Sequence, residues 1–157
     1  MDSASLDAPP MEPSRPGHGG ADAELWAQDR ASQWLGMALL EVGSGSSRVS
    51  MRVTPQMVNG HGICHGGLIF ALADSAFAFA SNSNGGTVVA AGAVVDFLSP
   101  AVVGEELEAV ATERHLRGRS GIYDVTVREV HSQRPVAEFR GRSRTLHRSG
   151  PSPAGPG

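Results

Sequence analysis

The sequence predicts an α+β domain in which a curled antiparallel sheet wraps around one central buried helix. Two observations carry that prediction. From Gly66 to about Asn82 runs "GGLIFALADSAFAFASN", whose Leu68, Ile69, Phe70, Leu72, Phe77 and Phe79 do not sort onto one helical stripe. A helix apolar on nearly all sides has to be covered all round. After "NSNGG" the texture changes to four β-rich segments with polar–apolar alternation, set apart by Gly, Pro or Ser. That pattern fits an antiparallel sheet with one wet face.

In chain order, residues 1–21 are rich in Pro, Ser and Gly and read as a disordered leader, and "SGPSPAGPG" at 149–157 reads as a disordered tail. One domain is left over 22–148. "ADAELWAQDRASQWLG" predicts a short helix with Leu25, Trp26, Trp34 and Leu35 as its apolar points and Gly36 as its stop. "MALLEVG" and "SRVSMRVT" predict two strands joined by the turn "GSGS", the second ended by Pro55. The loop "QMVNGHGICH" leads into the central helix. "TVVAAGAVVDFLSP", "ELEAVATERHLRG", "GIYDVTVREVHS" and "RPVAEFRGRSRTL" follow as strands. Two strands, one buried helix and four strands make the hotdog architecture.

Composition removes several function classes. A net charge of −3 over 157 residues gives no global attraction to nucleic acid or anionic membrane. All thirteen basic residues are Arg, so no lysine is present for Schiff-base chemistry. The lone Cys64 excludes an internal disulfide and suits a reducing compartment. No signal peptide is visible, and the apolar run Leu68 to Ala80 is too short to span a bilayer. A cytoplasmic protein is expected.

The chemistry concentrates at the helix entry. His65-Gly66-Gly67 stands where loop becomes helix, so the Gly66 N–H and its neighbours lack intrahelical partners and point out of the positive end of the dipole. Such a place suits an oxygen gaining negative charge, although Gly-Gly also serves a tight helix start. Asp74 lies in the middle of the apolar run, where an unpaired ionised carboxylate costs on the order of several kcal/mol. It is either a buried pin, bonded to backbone or to Asn59, or a catalytic group. Eight residues separate it from Gly66, roughly 12 Å along a helix, whereas a base and an oxyanion donor converge within about 3 Å of one reacting centre. If both act, Asp74 of one subunit meets Gly66 of another, and the protein is a homodimer with two composite sites. Asn59 and His65 flank the loop as carbonyl ligands or as caps. His61, Cys64 and His65 offer three soft ligands without a fourth, so no metal is expected. Arg140, Arg142 and Arg144 alternate and share one strand face, either solvated or available to phosphates.

These residues resemble a known family. "HGGLIFALADSAFAFASNS", "VDFLSPA", "GRSGIYDVTV" and "VAEFRGRSR", in that order and with Asn59 ahead of them, are similar to PaaI-type hotdog acyl-CoA thioesterases of phenylacetic acid degradation. The resemblance runs from Trp34 to Leu146. It implies hydrolysis of an acyl-CoA, with phenylacetyl-CoA or a hydroxylated phenylacetyl-CoA as substrate. It implies Asp74 as nucleophile or general base, the Gly66 N–H as oxyanion hole, and Asn59 and His65 as groups that position or polarise the thioester. It also implies no cofactor beyond the coenzyme A of the substrate, no metal, and dimers pairing into a homotetramer. Ser99, Pro100, Arg117 and Arg119 are candidates for binding the coenzyme A part. Some hotdog thioesterases carry a water-orienting hydroxyl one turn after the carboxylate; that position here is Ala78. The alternatives are a non-catalytic acyl-CoA-binding hotdog module and a medium-chain aliphatic acyl-CoA thioesterase.

Overall fold

A computed structural model describes residues 21–147. The leader and tail expected over 1–21 and 149–157 lie outside these residues, except that the first helix opens at Ala21. In chain order the elements are α1 (Ala21–Gln28), α2 (Arg30–Trp34), β1 (Ala38–Gly43), β2 (Ser46–Arg52), α3 (Gly66–Asn82), β3 (Thr87–Phe97), β4 (Glu106–Arg117), β5 (Ser120–Glu129) and β6 (Pro135–His147). A single 3-10 turn, Pro55–Met57, follows β2. The six strands form one antiparallel sheet in the order β1-β2-β4-β5-β6-β3.

The sheet curls around α3 as its side-chain alternation requires. On β5 and β6, Gly121, Tyr123, Val125, Val127, Phe139, Gly141 and Ser143 are buried on the helix side, while Arg140, Arg142 and Arg144 stand on the outer face. Phe77 packs against Tyr123 and Phe139 with ring centroids 5.5 and 5.9 Å apart, and Phe70 meets Phe139 edge-on at 5.3 Å. Each such aromatic pair contributes about 0.5–1.5 kcal/mol beyond its buried area. The outer face carries ion pairs in water, among them Arg48 with Glu108 and Arg140 with Asp124. Exposed pairs of this kind contribute at most about 1 kcal/mol each.

Three expectations need correction. The single helix predicted over residues 21–36 is two. Asp29 interrupts it because its carboxylate caps α2, accepting from the Ser32 N–H at 3.0 Å and the Ser32 hydroxyl at 2.7 Å. Of the four apolar points assigned to that helix, Trp26 and Leu35 pack on the core, whereas Leu25 and Trp34 face solvent. The third concerns α3. Ile69, Leu72, Ala73, Ala76, Phe77 and Ala80 are buried, but Phe70, Ala71, Asp74, Ala78 and Asn82 form a stripe that the chain covers only halfway. A sheet of six strands curls past the helix without closing on it.

Candidate active site

The loop into α3 is shaped by its own backbone. Val58 and Cys64 form an isolated antiparallel bridge, and the Asn59 N–H donates to the Ile63 carbonyl at 2.8 Å. The Cys64 N–H reaches the Ala101 carbonyl and the His65 N–H the Met57 carbonyl, both at 2.8 Å. The Asn59 side chain accepts from the His61 N–H at 2.9 Å, which closes the turn at Asn59-Gly60-His61. Asn59 thus holds the loop with its oxygen, and its Oδ1 points toward the backbone of this turn.

His65 is the N-cap of α3. Its Nδ1 accepts from the Gly67 N–H at 2.9 Å, which requires a lone pair on Nδ1 and leaves the proton of the neutral ring on Nε2. The four N–H groups of the first turn can now be accounted for one by one. Gly67 is taken by the His65 ring; Leu68 and Ile69 both donate to the His65 carbonyl, at 2.9 and 3.3 Å. Gly66 alone has no partner among the described residues. A side chain at either glycine would be a tight fit. A Cβ on Gly67 would lie 3.1 Å from the His65 Nδ1, and one on Gly66 would lie 3.0 Å from the Phe97 ring.

Two grooves leave this turn. One, of about 420 Å³, is lined by Asn59, Cys64, Gly66, Phe97, Ser99 and Pro100. The other, of about 840 Å³, runs along Trp34, Leu35, Met57, His65, Gly67 and Leu68. Ser99 is fixed at the rim of the first: its hydroxyl donates to the Pro135 carbonyl at 2.6 Å and accepts from Arg134 Nη1 at 2.8 Å. The same Arg134 nitrogen donates to the Pro100 carbonyl, and its other arm pairs with Glu105 at 2.7 Å. Arg134 is the organising residue of this rim. Sequence reasoning passed over it because its neighbours Ser132 and Pro135 read only as strand punctuation.

Asp74 sits on the half-covered stripe of α3. Its carboxylate makes no hydrogen bond or ion pair with any described residue, and burial pushes its pKa up. Its neighbour Ser75 instead bonds Ser32 of α2, Oγ to Oγ at 2.8 Å. The carboxylate therefore has none of the internal contacts a structural pin would show. Because α3 is continuous from Gly66 to Asn82, Asp74 stays roughly 12 Å from Gly66 along the axis. One chain does not bring them together.

Arg117 and Arg119 lie elsewhere. They flank the β4–β5 turn, where Ser120 faces Arg144 near the end of β6, whereas Ser99 neighbours Pro135 at its start. Arg119 is engaged, donating through Nε to the Thr145 carbonyl at 2.9 Å and through Nη2 to the Leu146 carbonyl. Within one chain the candidates thus split into a helix-entry group, Asn59, His65, Gly66, Ser99 and Pro100, with Asp74 mid-helix and the two arginines at the far end. Among the described residues no cluster of His, Cys, Asp or Glu has the makings of a metal site. None of their helices is long and apolar enough to cross a membrane.

Comparison with known proteins gives the family. Residues 61–135 match the thioesterase superfamily. The acyl-coenzyme A thioesterase PaaI of Escherichia coli is 41% identical over 122 residues, covering 78% of this chain and 86% of that protein. The structure of that PaaI protein, from the phenylacetic acid degradation operon, superimposes with a TM-score of 0.77 over 79% of this chain and 89% of its own. A mutant of the phenylacetic acid degradation protein PaaI from Thermus thermophilus, 36% identical, gives 0.72 over 75% of this chain and all of its own.

Proposed function

The chain belongs to the thioesterase superfamily as a PaaI-type thioester hydrolase, and from that premise we propose that it hydrolyses phenylacetyl-CoA, or a hydroxylated phenylacetyl-CoA, to the free acid and coenzyme A. The observation that carries the reading is the Gly66 N–H, the single unpartnered donor of the first turn of α3, opening on a groove. A thioester carbonyl oxygen seated there gains charge at the positive end of the helix as the tetrahedral intermediate forms. One such donor contributes about 10²–10³ in rate.

Asp74 is the attacking or activating group. As nucleophile its carboxylate adds to the carbonyl carbon, the C–S bond breaks, and the coenzyme A thiolate leaves; water then hydrolyses the acyl–aspartyl anhydride. As general base it takes a proton from the attacking water instead. Both routes collect charge on the oxygen facing Gly66, and both need the ionised carboxylate. The thiolate is a good leaving group, so little acid assistance is required. All groups in this scheme come from the chain, and coenzyme A enters as part of the substrate.

The separation of Gly66 from Asp74 calls for a second copy. Two features favour a β3-centred two-fold interface. β3 is an eleven-residue edge strand paired only with β6, with Asp96 as its sole charge and Val94 68% exposed. Such an edge is a template for a further strand. The half-covered stripe of α3 that holds Asp74 also lacks a cover among the described residues. Antiparallel pairing of two β3 strands sets the α3 helices side by side in opposite directions, each offering its Asp74 to the other's Gly66.

Subunit complementation tests this. Asp74→Ala removes the carboxylate. Gly66→Pro removes the N–H while suiting the first helical position, and His65 at φ −60°, ψ 129° already has the backbone a following proline needs. Each variant alone should release little coenzyme A thiol from phenylacetyl-CoA. After subunit exchange, about half the dimers carry one intact site of two, so about a quarter of the wild-type rate returns. No recovery despite verified exchange would place both groups in one chain. A fully active Asp74→Ala would remove Asp74 from the mechanism.

A further inference from the structure

We propose that Trp34 is a specificity-determining residue that stacks on the aryl ring of the acyl group, in the groove between α2 and the entry of α3. This deepens the thioesterase reading above and rests on it. Trp34 is 84% exposed and has no ring partner among the described residues, whereas Trp26 packs on Phe79 with centroids 5.7 Å apart. Leaving so large an apolar surface in water forgoes the roughly 25 cal/mol per Å² that burial returns, so an exposed tryptophan on an ordered element calls for an occupant.

The platform under Trp34 is rigid. Asp29 caps α2 and holds Ser32, and Ser32 bonds Ser75 of α3, which ties α2 to the helix one residue from Asp74. After Trp34 the chain turns at once: the Leu35 N–H reaches the Ala31 carbonyl at 3.1 Å and the Met37 N–H the Ser32 carbonyl at 3.0 Å, with Gly36 at φ +70°. The indole is thus presented at a set place rather than on a loose tail. The groove it overlooks has an apolar floor of Leu35, Met57, Val58 and Leu68 and ends at His65 and Gly67, the residues on either side of Gly66.

The occupant follows from that continuity. A thioester bound through its carbonyl oxygen at Gly66 has two arms, and two grooves leave the turn. The smaller one passes Phe97 and Leu98 and ends at Ser99 and Pro100 on the rim that Arg134 organises, which leaves it to the pantetheine arm. The larger one has Thr54 and Gln56 beside its apolar floor and a flat aromatic at its rim, which suits an aryl ring.

The test compares wild type with Trp34→Ala on phenylacetyl-CoA and on acetyl-CoA, whose acyl group is too short to reach the indole. The expected result is a loss of about tenfold or more in kcat/KM for phenylacetyl-CoA, the scale of one lost apolar pocket wall, with acetyl-CoA within about twofold. An equal effect on both substrates, or no effect, overturns the assignment. So does a change in subunit assembly on size-exclusion chromatography that accounts for the loss, since the indole would then be a subunit contact. A binding readout separates this inference from the thioesterase reading. The chain has two tryptophans, so Trp26→Phe leaves Trp34 as the sole indole, excited selectively over the one tyrosine. Saturable change in its emission with phenylacetyl-CoA but not acetyl-CoA supports the groove even if no thioester is cleaved; an unchanged spectrum overturns it even if hydrolysis is fast.

Discussion

The two ends of α3 are built to opposite plans. At the C-terminal end every nearby group is engaged. The Asn82 amide donates to the Ala78 and Val88 carbonyls at 2.9 and 3.0 Å and accepts from the Val88 N–H at 2.9 Å. The Ser83 hydroxyl donates to the Ala80 carbonyl and accepts from the Gly45 N–H, both at 2.8 Å. That end is fastened to β3 and to the β1–β2 turn. At the N-terminal end the His65 cap satisfies three donors and leaves the fourth free, with grooves on either side. The same helix thus has one end fastened by side chains and a single N–H left open at the other.

Substitutions should separate the two plans, and the largest effect belongs to the open side. Asp74→Asn keeps the shape of the side chain but lacks the charge. Thioester hydrolysis should fall by about 10²–10⁴ while the melting temperature stays level or rises, because the carboxylate is half-buried and unpartnered. The sign follows from the raised pKa: ionisation opposes folding, so the penalty enters as pH rises through the folded-state value. The acid limb of kcat/KM should lie above the ordinary aspartate range, with the rate increasing with pH. Gly66→Pro comes next, losing about 10²–10³ in kcat in a protein that still melts cooperatively; a melting temperature far below wild type would mean that Gly66 is needed chiefly for its contact with Phe97.

At the closed end the effects reverse. Asn82→Ala removes the amide's bonds to the Val88 N–H and carbonyl and to the Ala78 carbonyl, which keeps the Ser81 hydroxyl, and should cost about 1–3 kcal/mol of stability, with kcat per folded molecule unchanged. A fall in kcat as large as the Gly66 variant's would end the contrast between the ends. The smallest change is His65→Asn, which retains a capping side chain. It should hold stability to within about 1 kcal/mol, so any loss of rate beyond a few-fold reports work by the ring other than capping. Acid titration supplies a control away from the helix. The Ser132 hydroxyl and N–H and the His131 N–H hold the Glu129 carboxyl down at about 2, so its contribution is complete above about pH 4.5 and fades as pH falls toward 2.

The sequence made the frame legible where punctuation is local. Gly66-Gly67 and Asn82-Ser83-Asn84-Gly85-Gly86 bound α3 at both ends, and the alternation on β5 and β6 set Arg140, Arg142 and Arg144 on one face. It misled where a residue's role depends on distant partners. Asp29 breaks a helix because Ser32 is within reach, which composition does not reveal. Trp34 counted as a core point because it is apolar, yet α2 turns it outward. Arg119, expected to meet coenzyme A, gives its Nε and Nη2 to the carbonyls of Thr145 and Leu146, partners far from it in sequence. The open stripe of α3 was hidden for a deeper reason: an all-round apolar helix demands cover, but the demand does not say whether the same chain supplies it.

The strand order has a consequence for how the protein is made. β3 directly follows α3, yet its hydrogen-bonding partner is β6, which starts roughly forty residues later and is the last strand described. While the chain grows on a ribosome, the wall of the helix-entry groove that carries Phe97 has nothing to pair with until β6 emerges. Distant pairings of this kind close late. The helix-entry end of the molecule is therefore the last to assemble, and a nascent chain stopped before residue 135 has its helix and its Asp74 carboxylate but not the paired wall that carries Phe97.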